Sequence, residues 1–317
     1  MKIDQNVMSL TSRQLTNIKA PKIAVILAFY NGMCWIDEQL DSILNQQYAE
    51  ITVFISVDTS IDENKEFCIL LFKQYTNIIT LPCVGRFGGS AKNFFRLSRD
   101  VNFTNFDYIS FADQDDIWDA NKLSSAIVLI KQKKTDAYSS NVTAFWADGK
   151  TMLIDKAQNQ CQFDYMFESA GPGCTFVLTQ KLALHLQKFL IQNRQACEYV
   201  ELHDWFIYAF ARTNGYKWVI DKQALMQYRQ HETNVVGANV GLKAKLSRWN
   251  KLREGWLKNQ AILLADIIGY SDSWIIKRLK RNNPIDKIIL IINIRKFRRK
   301  PIDRFVLALS ILVGIKK

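Results

Sequence analysis

Short apolar runs alternate with amphipathic stretches along the first part of the chain. Residues 22–29, 51–57 and 78–81 are apolar runs with the length of strands that are buried on both faces. Between the first two runs, residues 35–45 place isoleucine and leucine at spacings of three and four, which predicts an amphipathic helix. A second helix is predicted over residues 63–75. The alternation predicts a parallel α/β sheet with functional loops at the carboxyl ends of its strands.

The same alternation continues with shorter elements after residue 85. Helices are predicted over residues 91–99, 122–133, 181–192 and 204–212, and strands over residues 107–112 and 217–220. Residues 135–162 indicate irregular β structure, and a Gly-Pro-Gly turn at 171–173 precedes the apolar segment 174–178. From residue 242 onward, basic and apolar residues alternate in a way that predicts helices added to the core.

Composition indicates a folded protein whose charge is unevenly distributed. The chain has 317 residues, and 48% of them are hydrophobic, which is enough for a sizeable core. The net charge is +12, and the segment from residue 243 onward holds 19 lysines and arginines against 5 acidic residues. Such a basic tail indicates either an anionic membrane surface or a nucleic acid as partner. No apolar run reaches the roughly 20 residues of a spanning helix, and no signal peptide is predicted.

Spacing argues against several kinds of site. The six cysteines lie far apart, without the Cys and His spacing of a zinc site, which predicts reduced thiols in a cytosolic protein. The glycine-rich turn at 85–90 lacks the pattern of a P-loop that cradles phosphates. None of the three histidines accompanies the GxSxG context of a serine hydrolase. His185, within an amphipathic helix, is predicted to be structural.

Acidic residues concentrate directly after the strand predicted at 107–112. Four carboxylates fall within seven residues, namely Asp113, Asp115, Asp116 and Asp119. A sharp turn at the end of the strand would present Asp113 and Asp115 to the same concavity, and their hard oxygens suit Mg²⁺ or Mn²⁺. Such an ion commonly holds a diphosphate and neutralises its charge as it leaves. The alternative is a solvated acidic turn that caps the next helix.

Five sequence blocks, taken in order, are similar to those of one enzyme family. They are FYNGMCWIDEQLDSILNQQY at 29–48, YISFADQDDIWDANKL at 108–123, GPGCTFVLT at 171–179, HDWF at 203–206 and YRQHETNVVGA at 228–238. The chain resembles the inverting glycosyltransferases of family 2 and, within them, the bacterial rhamnosyltransferase-like branch. The blocks span about 210 residues, and the segment beyond about residue 242 lies outside the resemblance.

The resemblance implies an α/β GT-A fold, in which a Rossmann-like, mixed but mostly parallel sheet is flanked by helices. The catalytic domain is expected at residues 21–241, with a nucleotide-binding half at about 21–120 and an acceptor-binding half at about 121–241. A polar leader, residues 1–20, precedes this domain, and a basic amphipathic helical extension, residues 242–317, follows it. The resemblance also implies a nucleotide-sugar donor, with Mg²⁺ or Mn²⁺ as cofactor.

The resemblance assigns donor-side roles to residues in several loops. Asp113 is expected to contact the ribose and Asp115 to ligate the metal, with Gln114 between them on the donor side. Asp58 matches an acid that grips the base, although its neighbours depart from the family's pattern, and its alternative role is that of a turn acid. His231 is expected either to be a further metal ligand or to hydrogen-bond the active-site loop. The other expected donor contacts are Tyr30 and Asn31 beside the base, and Lys92 with Asn93 near a phosphate or nucleotide oxygen, unless Lys92 is a surface residue.

On the acceptor side, the resemblance singles out Asp204 as the catalytic acid position. It is expected to act as general base and to take the proton of the acceptor hydroxyl. Its alternative role is that of a helix N-cap. His203 is expected to orient the loop or the acceptor, and Gly173, Cys174 and Trp205 are expected on the acceptor side.

The predicted function is transfer of L-rhamnose from dTDP-L-rhamnose to a glycan acceptor, linked to a lipid, in the synthesis of bacterial surface polysaccharide. UDP-hexoses are the alternative donors, and a nucleotide-sugar-binding protein without transfer activity is a second alternative. A nucleic-acid-binding protein is disfavoured, because the main domain carries no such motif. The basic extension is expected to hold the protein peripherally at the inner, cytoplasmic face of an anionic membrane. The alternative is a set of helices that pack on the catalytic core and leave a solvated basic face. The oligomeric state is left open.

Overall fold

The computed structural model of the protein describes residues 19–58, 70, 72–231 and 255–313. The strands described are β1 (Lys22–Phe29), β2 (Glu50–Val57), β3 (Ile78–Thr80), β4 (Tyr108–Ala112), β5 (Ile117–Trp118), β6 (Ala137–Ser140), β7 (Val142–Phe145), β8 (Thr151–Ile154), β9 (Val177–Thr179), β10 (Trp218–Asp221) and β11 (Met226–Arg229). The α-helices are α1 (Ile36–Leu44), α2 (Ser90–Asp100), α3 (Lys122–Lys133), α4 (Gln180–Gln192), α5 (Arg194–Cys197), α6 (His203–Thr213), α7 (Trp256–Ile267), α8 (Trp274–Arg281), α9 (Pro284–Ile292) and α10 (Pro301–Val313). Short 3₁₀ turns lie at Asp164–Met166, Gly173–Thr175 and Ile294–Lys296.

Most elements lie within a residue or two of their predicted positions. The bounds of β1 and α3 agree with the apolar run at 22–29 and the helix predicted at 122–133. The apolar segment 174–178 begins as a 3₁₀ turn and becomes a strand only at Val177. The helix predicted over 63–75 and the domain boundary near 241 fall largely or wholly outside the described residues.

The main sheet has seven strands in the order β10-β6-β9-β4-β1-β2-β3. Neighbours run parallel except around β9, which is antiparallel to both β4 and β6. A second sheet has the order β5-β11-β7-β8. Strand β1 is central, and its residues 23–27 are buried, which explains why its sequence is a continuous apolar run. The predicted mixed, mostly parallel sheet flanked by helices is confirmed.

Hydrophobic clusters cover both faces of the main sheet. Ala24 and Ile26 belong to one cluster, and Ile23 and Val25, which point to the opposite face, belong to the other. Helices α7 to α10 of the C-terminal extension contribute buried side chains to the first cluster, together with α2, α4 and α6. The extension therefore shares its core with the sheet domain. Within the described part of the chain, no helix has the length and apolarity needed to cross a bilayer.

Helix α6 is held against the turn Gly173–Thr175 through its first residue, His203. The imidazole is buried and stacks on Phe94 with ring centroids 4.1 Å apart. Burial lowers the pKa of His203 to about 3, so the ring is neutral near pH 7. A Cβ atom added to Gly173 would lie closer than 3.0 Å to Nε2 of this ring. Position 173 therefore requires glycine for the close approach of turn and helix.

We expect Gly173→Ala to destabilise the protein, because the added methyl group must displace either the imidazole or the turn. The cost of such overpacking is about 1–3 kcal/mol. Gly89→Ala is the matched control, since an added Cβ there meets nothing within 4 Å and the backbone φ is an extended 169°. Urea unfolding of both variants measures the difference. Equal unfolding free energies for the two variants would mean that the turn has room for a side chain.

Candidate active site

The candidate site lies at the carboxyl ends of three neighbouring parallel strands. The registers of β1 with β2 and with β4 bring these ends to one edge of the main sheet. The loops that follow the strands begin at Tyr30, Asp58 and Asp113, so their polar groups leave from the same edge. This is the position at which open α/β sheets bind ligands.

Gln114 joins the acidic turn after β4 to the loop after β1. Its side-chain oxygen accepts from the backbone N–H of Tyr30 at 2.6 Å, and its amide nitrogen donates to the carbonyl of the same residue at 2.7 Å. A Cβ at Gly32 would lie closer than 3.0 Å to the Gln114 side chain. These two hydrogen bonds fix the backbone of Tyr30, a residue that is 41% exposed beside the site. Gln114 thus acts on the donor-side loop through the backbone of that loop.

Asp115 and His231 come together although 116 residues separate them in sequence. Nε2 of His231 lies 2.6 Å from Oδ2 of Asp115, and the imidazole stacks on Trp35 with ring centroids 4.2 Å apart. The guanidinium of Arg229 donates to the backbone carbonyl of Asp115 at 2.8 Å and also binds Glu38. The structure therefore brings together the two residues that the sequence singled out as metal ligands.

A second cluster lies directly beneath the acidic turn. One ligand atom from each of Asp113, Asp116 and Cys174 lies within 4.8 Å of the others. Asp116 is fully buried, and its Oδ1 accepts from the backbone N–H of Arg229 at 3.3 Å. Burial, followed by the charges of Asp113 and Asp115, raises the pKa of Asp116, while burial lowers the pKa of Lys122 to about 7. The charge of Asp116 opposes the shift of the Lys122 pKa, so the two buried groups lie near each other.

The two clusters differ in how well they suit a divalent cation. Asp115 offers a carboxylate oxygen, a ligand that both Mg²⁺ and Mn²⁺ accept. His231 offers an imidazole nitrogen, a ligand that Mn²⁺ accepts. The buried cluster instead includes the Cys174 thiol, whose pKa is raised by burial, and it adjoins the Lys122 ammonium. A soft ligand and a nearby cation fit a hard divalent ion poorly. The residues present therefore fit a metal on the side of Asp115 and His231.

Asp58 organises the glycine-rich turn next to the site. Its carboxylate accepts from the backbone N–H groups of Phe87 and Gly88 at 2.7 and 3.0 Å. The carboxylate is buried, and the chain direction of its loop is set by a bond from its own N–H to the Phe29 carbonyl at 2.8 Å. Asp58 thus connects its own loop to the glycine-rich turn, as its alternative role of turn acid would have it, and its expected contact with the base stays a prediction.

Lys92 and Asn93 begin helix α2 but make contacts away from the acidic turn. The amide of Asn93 donates to the Ser56 carbonyl at 2.9 Å, and the residue is only 2% exposed. Lys92 is partly exposed, with its ammonium 3.5 Å from Glu198. The expected donor contact of Asn93 stays a prediction, and the small exposed surface of the residue disfavours it.

Asp204 is the second residue of helix α6 and lies near the acidic turn, close enough for its charge to affect Asp113. Its Oδ1 accepts from the N–H of Trp205 at 2.8 Å, and the N-cap position belongs to Leu202. Burial raises the pKa of Asp204, an effect opposed by the Trp205 bond, a hydrogen bond from Ser169 and the charge of Lys156. The pKa of Asp113 is raised by burial, then by Asp115 and also by Asp204, so the Asp113 and Asp204 carboxylates interact.

Three residues expected on the acceptor side are packed inside the protein. Trp205 is 3% exposed, and its indole N–H donates to the Tyr165 carbonyl at 2.9 Å. His203 is stacked on Phe94, as described above, and Cys174 has no exposed surface. Their acceptor-side position stays a prediction, and their burial favours an indirect role, such as the orienting role expected for His203, over direct contact with the acceptor. They support the cleft from behind.

Sequence reasoning missed the partners that hold the acidic turn in place. Lys122 and Arg229 were not candidates, and Asp116 was noted only as one of four neighbouring carboxylates. The available signal was weak, since Arg229 stands two residues before His231 and Lys122 opens a predicted helix. Only the fold shows that Arg229 binds the turn from 114 residues away.

Comparisons with known proteins agree with this architecture. The family model described as Glycosyl transferase family 2 matches residues 24–199. The chain is 44% identical over 290 residues to a Shigella flexneri protein named dTDP-rhamnosyl transferase RfbG, covering 91% of this chain and all of that one. It is also similar in structure to TarS from S. aureus, with a TM-score of 0.51 and 13% identity over 92% of this chain and 88% of that one.

A further solved structure shares the fold at low identity. The mannosyltransferase PcManGT from Pyrobaculum calidifontis, solved in complex with GDP-Man and Mn²⁺, matches with a TM-score of 0.51 and 12% identity over 93% of this chain and 85% of that one. At such identities the structural likeness shows the fold alone, and it confirms the expected GT-A architecture. Together with the family model and the 44% identical relative, these findings assign the chain to a family. The chain belongs to glycosyl transferase family 2 and is a glycosyltransferase.

Proposed function

We propose that this enzyme transfers L-rhamnose from dTDP-L-rhamnose, with inversion at the anomeric carbon, to a glycan acceptor carried on a lipid in surface polysaccharide synthesis. The observation that carries the donor assignment is the 44% identity to a protein named dTDP-rhamnosyl transferase, over that relative's whole length. The acidic turn and Asp204 supply the groups that such a transfer requires. The lipid-linked acceptor rests on the exposed face of the C-terminal helices considered below.

The proposed reaction is a single displacement. An acceptor hydroxyl oxygen forms a bond to the anomeric carbon while the bond from that carbon to the diphosphate oxygen breaks. The hydroxyl proton passes to a base on the side opposite the leaving diphosphate. Asp204 suits this role because its carboxylate lies near the acidic turn, close enough for its charge to affect Asp113. Burial raises the pKa of Asp204, which increases the affinity of the carboxylate for that proton.

Asp115 and His231 are the residues proposed to hold a divalent metal. Bound Mg²⁺ or Mn²⁺ would neutralise the charge that develops on the departing diphosphate. Arg229 keeps the Asp115 backbone in place, and Trp35 fixes the plane of the His231 ring by stacking. Support for the choice of metal comes from a relative of the same fold whose structure contains Mn²⁺.

We expect release of dTDP from dTDP-L-rhamnose to require added Mn²⁺ or Mg²⁺ and to fall by about 10²-fold or more in Asp115→Asn, since a metal supplies several kcal/mol of charge stabilisation. Asp119→Asn is the matched control, because its exposed carboxylate lies in the same segment. Nucleotide release is measured with and without EDTA, and with UDP-glucose as competing donor. Full turnover in EDTA would contradict the metal role, and faster turnover of UDP-glucose would contradict the donor assignment.

Asp204→Asn tests the proposed base. The amide preserves size and much of the hydrogen bonding but cannot accept the proton, so turnover should fall by about 10²- to 10⁴-fold. Affinity for dTDP, measured by calorimetry, should be unchanged. Asp37→Asn is the matched control, because Asp37 is also the second residue of a helix and is exposed. Near-normal turnover of Asp204→Asn would leave this carboxylate with a structural role at the start of α6.

Much of the positive charge in the C-terminal extension is neutralised within the protein. The basic residues of α8 pair with Asp266, Asp272 and Asp286 at 2.5–3.5 Å. Arg299 is buried in ion pairs as well. Within residues 255–313, the basic patches therefore do not form a continuous exposed surface, and Arg295 and Lys296 are exposed cations next to α9. Charge alone would provide a weaker membrane contact than the sequence suggested.

Helices α9 and α10 also expose a set of large apolar side chains, which we call the α9–α10 face. Its members, 56–75% exposed, are Ile285, Ile288, Ile292, Ile302, Phe305 and Leu312. The start of α9 lies near the end of α10, because Lys287 donates to the Leu312 carbonyl at 3.2 Å. Exposed apolar residues with flanking cations are typical of helices that lie in an anionic bilayer surface. We propose that this face binds the inner face of the cell membrane.

We expect the double variant Ile288→Glu with Phe305→Glu to lose binding to phosphatidylglycerol vesicles while retaining turnover of donor in solution. Each apolar side chain that enters the bilayer contributes about 1.5 kcal/mol or more, so each loss should lower partitioning by about tenfold. Leu153→Glu is the matched control, since Leu153 is 56% exposed on β8, outside the face. Cosedimentation measures the effect, and unchanged binding of the double variant would contradict the proposed contact. Point substitutions are preferable to truncation, because Phe297 and Arg299 are buried.

A further inference from the structure

Arg299, from the C-terminal extension, lies buried against the acceptor-binding half of the protein. Its side chain has no exposed surface, and its guanidinium lies 3.2 Å from Asp164. The guanidinium also donates to the Ser169 carbonyl at 2.5 Å, and the backbone N–H of Arg299 donates to Glu168 at 2.7 Å. A fully buried arginine is costly to desolvate unless carboxylates and carbonyls surround it, as they do here. The planar fork of its donors fixes the geometry of the groups that it binds.

The neighbours of Arg299 bind the same segment, residues 163–169, along its length. The N–H of Phe163 donates to the Lys296 carbonyl at 2.9 Å, and the guanidinium of Arg298 donates to the carbonyl of Phe167. The buried ring of Phe297 lies 5.1 Å from the ring of Phe167 between centroids. The segment is therefore docked on residues 296–299 of the extension.

The other side of segment 163–169 binds helix α6, which carries Asp204. The Tyr208 hydroxyl lies 3.1 Å from each carboxylate oxygen of Asp164. The indole N–H of Trp205, next to Asp204, donates to the Tyr165 carbonyl at 2.9 Å. The segment thus lies between the extension and the helix that presents the proposed base.

Ser169 is a single residue that connects Arg299 with the surroundings of Asp204. Its carbonyl oxygen accepts from Arg299, and its hydroxyl donates to the Gly171 carbonyl at 2.8 Å. The same side chain lies close enough to Asp204 to oppose the rise in the pKa of that carboxyl, a rise caused mainly by burial. A shift of the Ser169 backbone would therefore move a polar group that lies beside Asp204.

We propose that Arg299 is a positioning residue for glycosyl transfer, which holds Ser169 and the Asp164 anchor of α6 so that Asp204 is correctly placed for the acceptor hydroxyl. The inference rests on the proposed role of Asp204 as base. Arg299 lies outside residues 24–199, the part that matches the family model, so the extension completes the active site in addition to carrying the α9–α10 face. A misplacement of about 1 Å in a catalytic group lowers turnover by about 10²-fold.

The test compares Arg299→Lys and Ser169→Ala with the control Arg194→Lys, at an exposed arginine of helix α5. Arg299→Lys retains the charge but loses the fork, and we expect its kcat to fall by about 10²-fold with unchanged affinity for dTDP. Ser169→Ala should lower kcat in the same direction without removing a buried charge, so it tests the inference even if the arginine variant does not fold. Arg194→Lys should have the kcat of the wild type.

The Asp204→Asn background separates positioning from general destabilisation. If Arg299 acts through the base, Arg299→Lys adds no further loss of kcat once Asp204 is asparagine, whereas independent effects would multiply. A multiplied loss, or a wild-type kcat in both Arg299→Lys and Ser169→Ala, overturns the inference while Asp204 remains the base. Full turnover of Asp204→Asn alone instead overturns the proposed function, so the two failures are distinguishable.

Discussion

Negative charge concentrated in one cleft is the constraint on which the rest of this structure depends. Four carboxylates converge there, those of Asp113, Asp115, Asp116 and Asp204. Two unit charges of like sign 4 Å apart cost about 4 kcal/mol at an effective dielectric constant of about 20. Protonation relieves part of this repulsion, because burial and the neighbouring carboxylates raise the pKa values of Asp113 and Asp116, and groups from other elements stabilise the rest. Lys122 lies beneath the acidic turn, and Arg229 binds its backbone and Asp116.

These compensating groups also explain how the two halves of the domain are joined. Arg229 belongs to β11, so its bonds to the turn after β4 dock the second sheet on the first. Behind Asp204, the same principle brings in the C-terminal extension, because the buried Asp164 is paired with Arg299 and Arg212. Each carboxylate that is placed near the cleft thus fixes an element that lies far away in sequence. The contacts that compensate these charges therefore also hold together elements that are distant in sequence.

A feature of this protein could be predicted from the sequence when the interactions that determine it lie within one segment of the chain. The bounds of β1 and α3 were predicted well because burial on both faces and helical periodicity are properties of a single segment. The turn containing Asp113 and Asp115 was found for the same reason. Lys122 and Arg299 were missed as site residues, since a lysine or arginine in a basic, amphipathic stretch carries no signal that it is buried. Its partners are known only once the chain is folded.

The donor-side residues show why a motif match predicts a position better than a contact. Gln114 bonds the backbone of Tyr30, and Asp58 bonds the N–H groups of Phe87 and Gly88. Asn93 likewise bonds the backbone of β2. Each of these side chains is expected from the family pattern near the donor, and each forms hydrogen bonds with the backbone, of a loop for Gln114 and Asp58 and of a strand for Asn93. Loops that are ordered before a ligand arrives lose less conformational entropy on binding, so side chains at motif positions can act through preorganisation without touching the ligand.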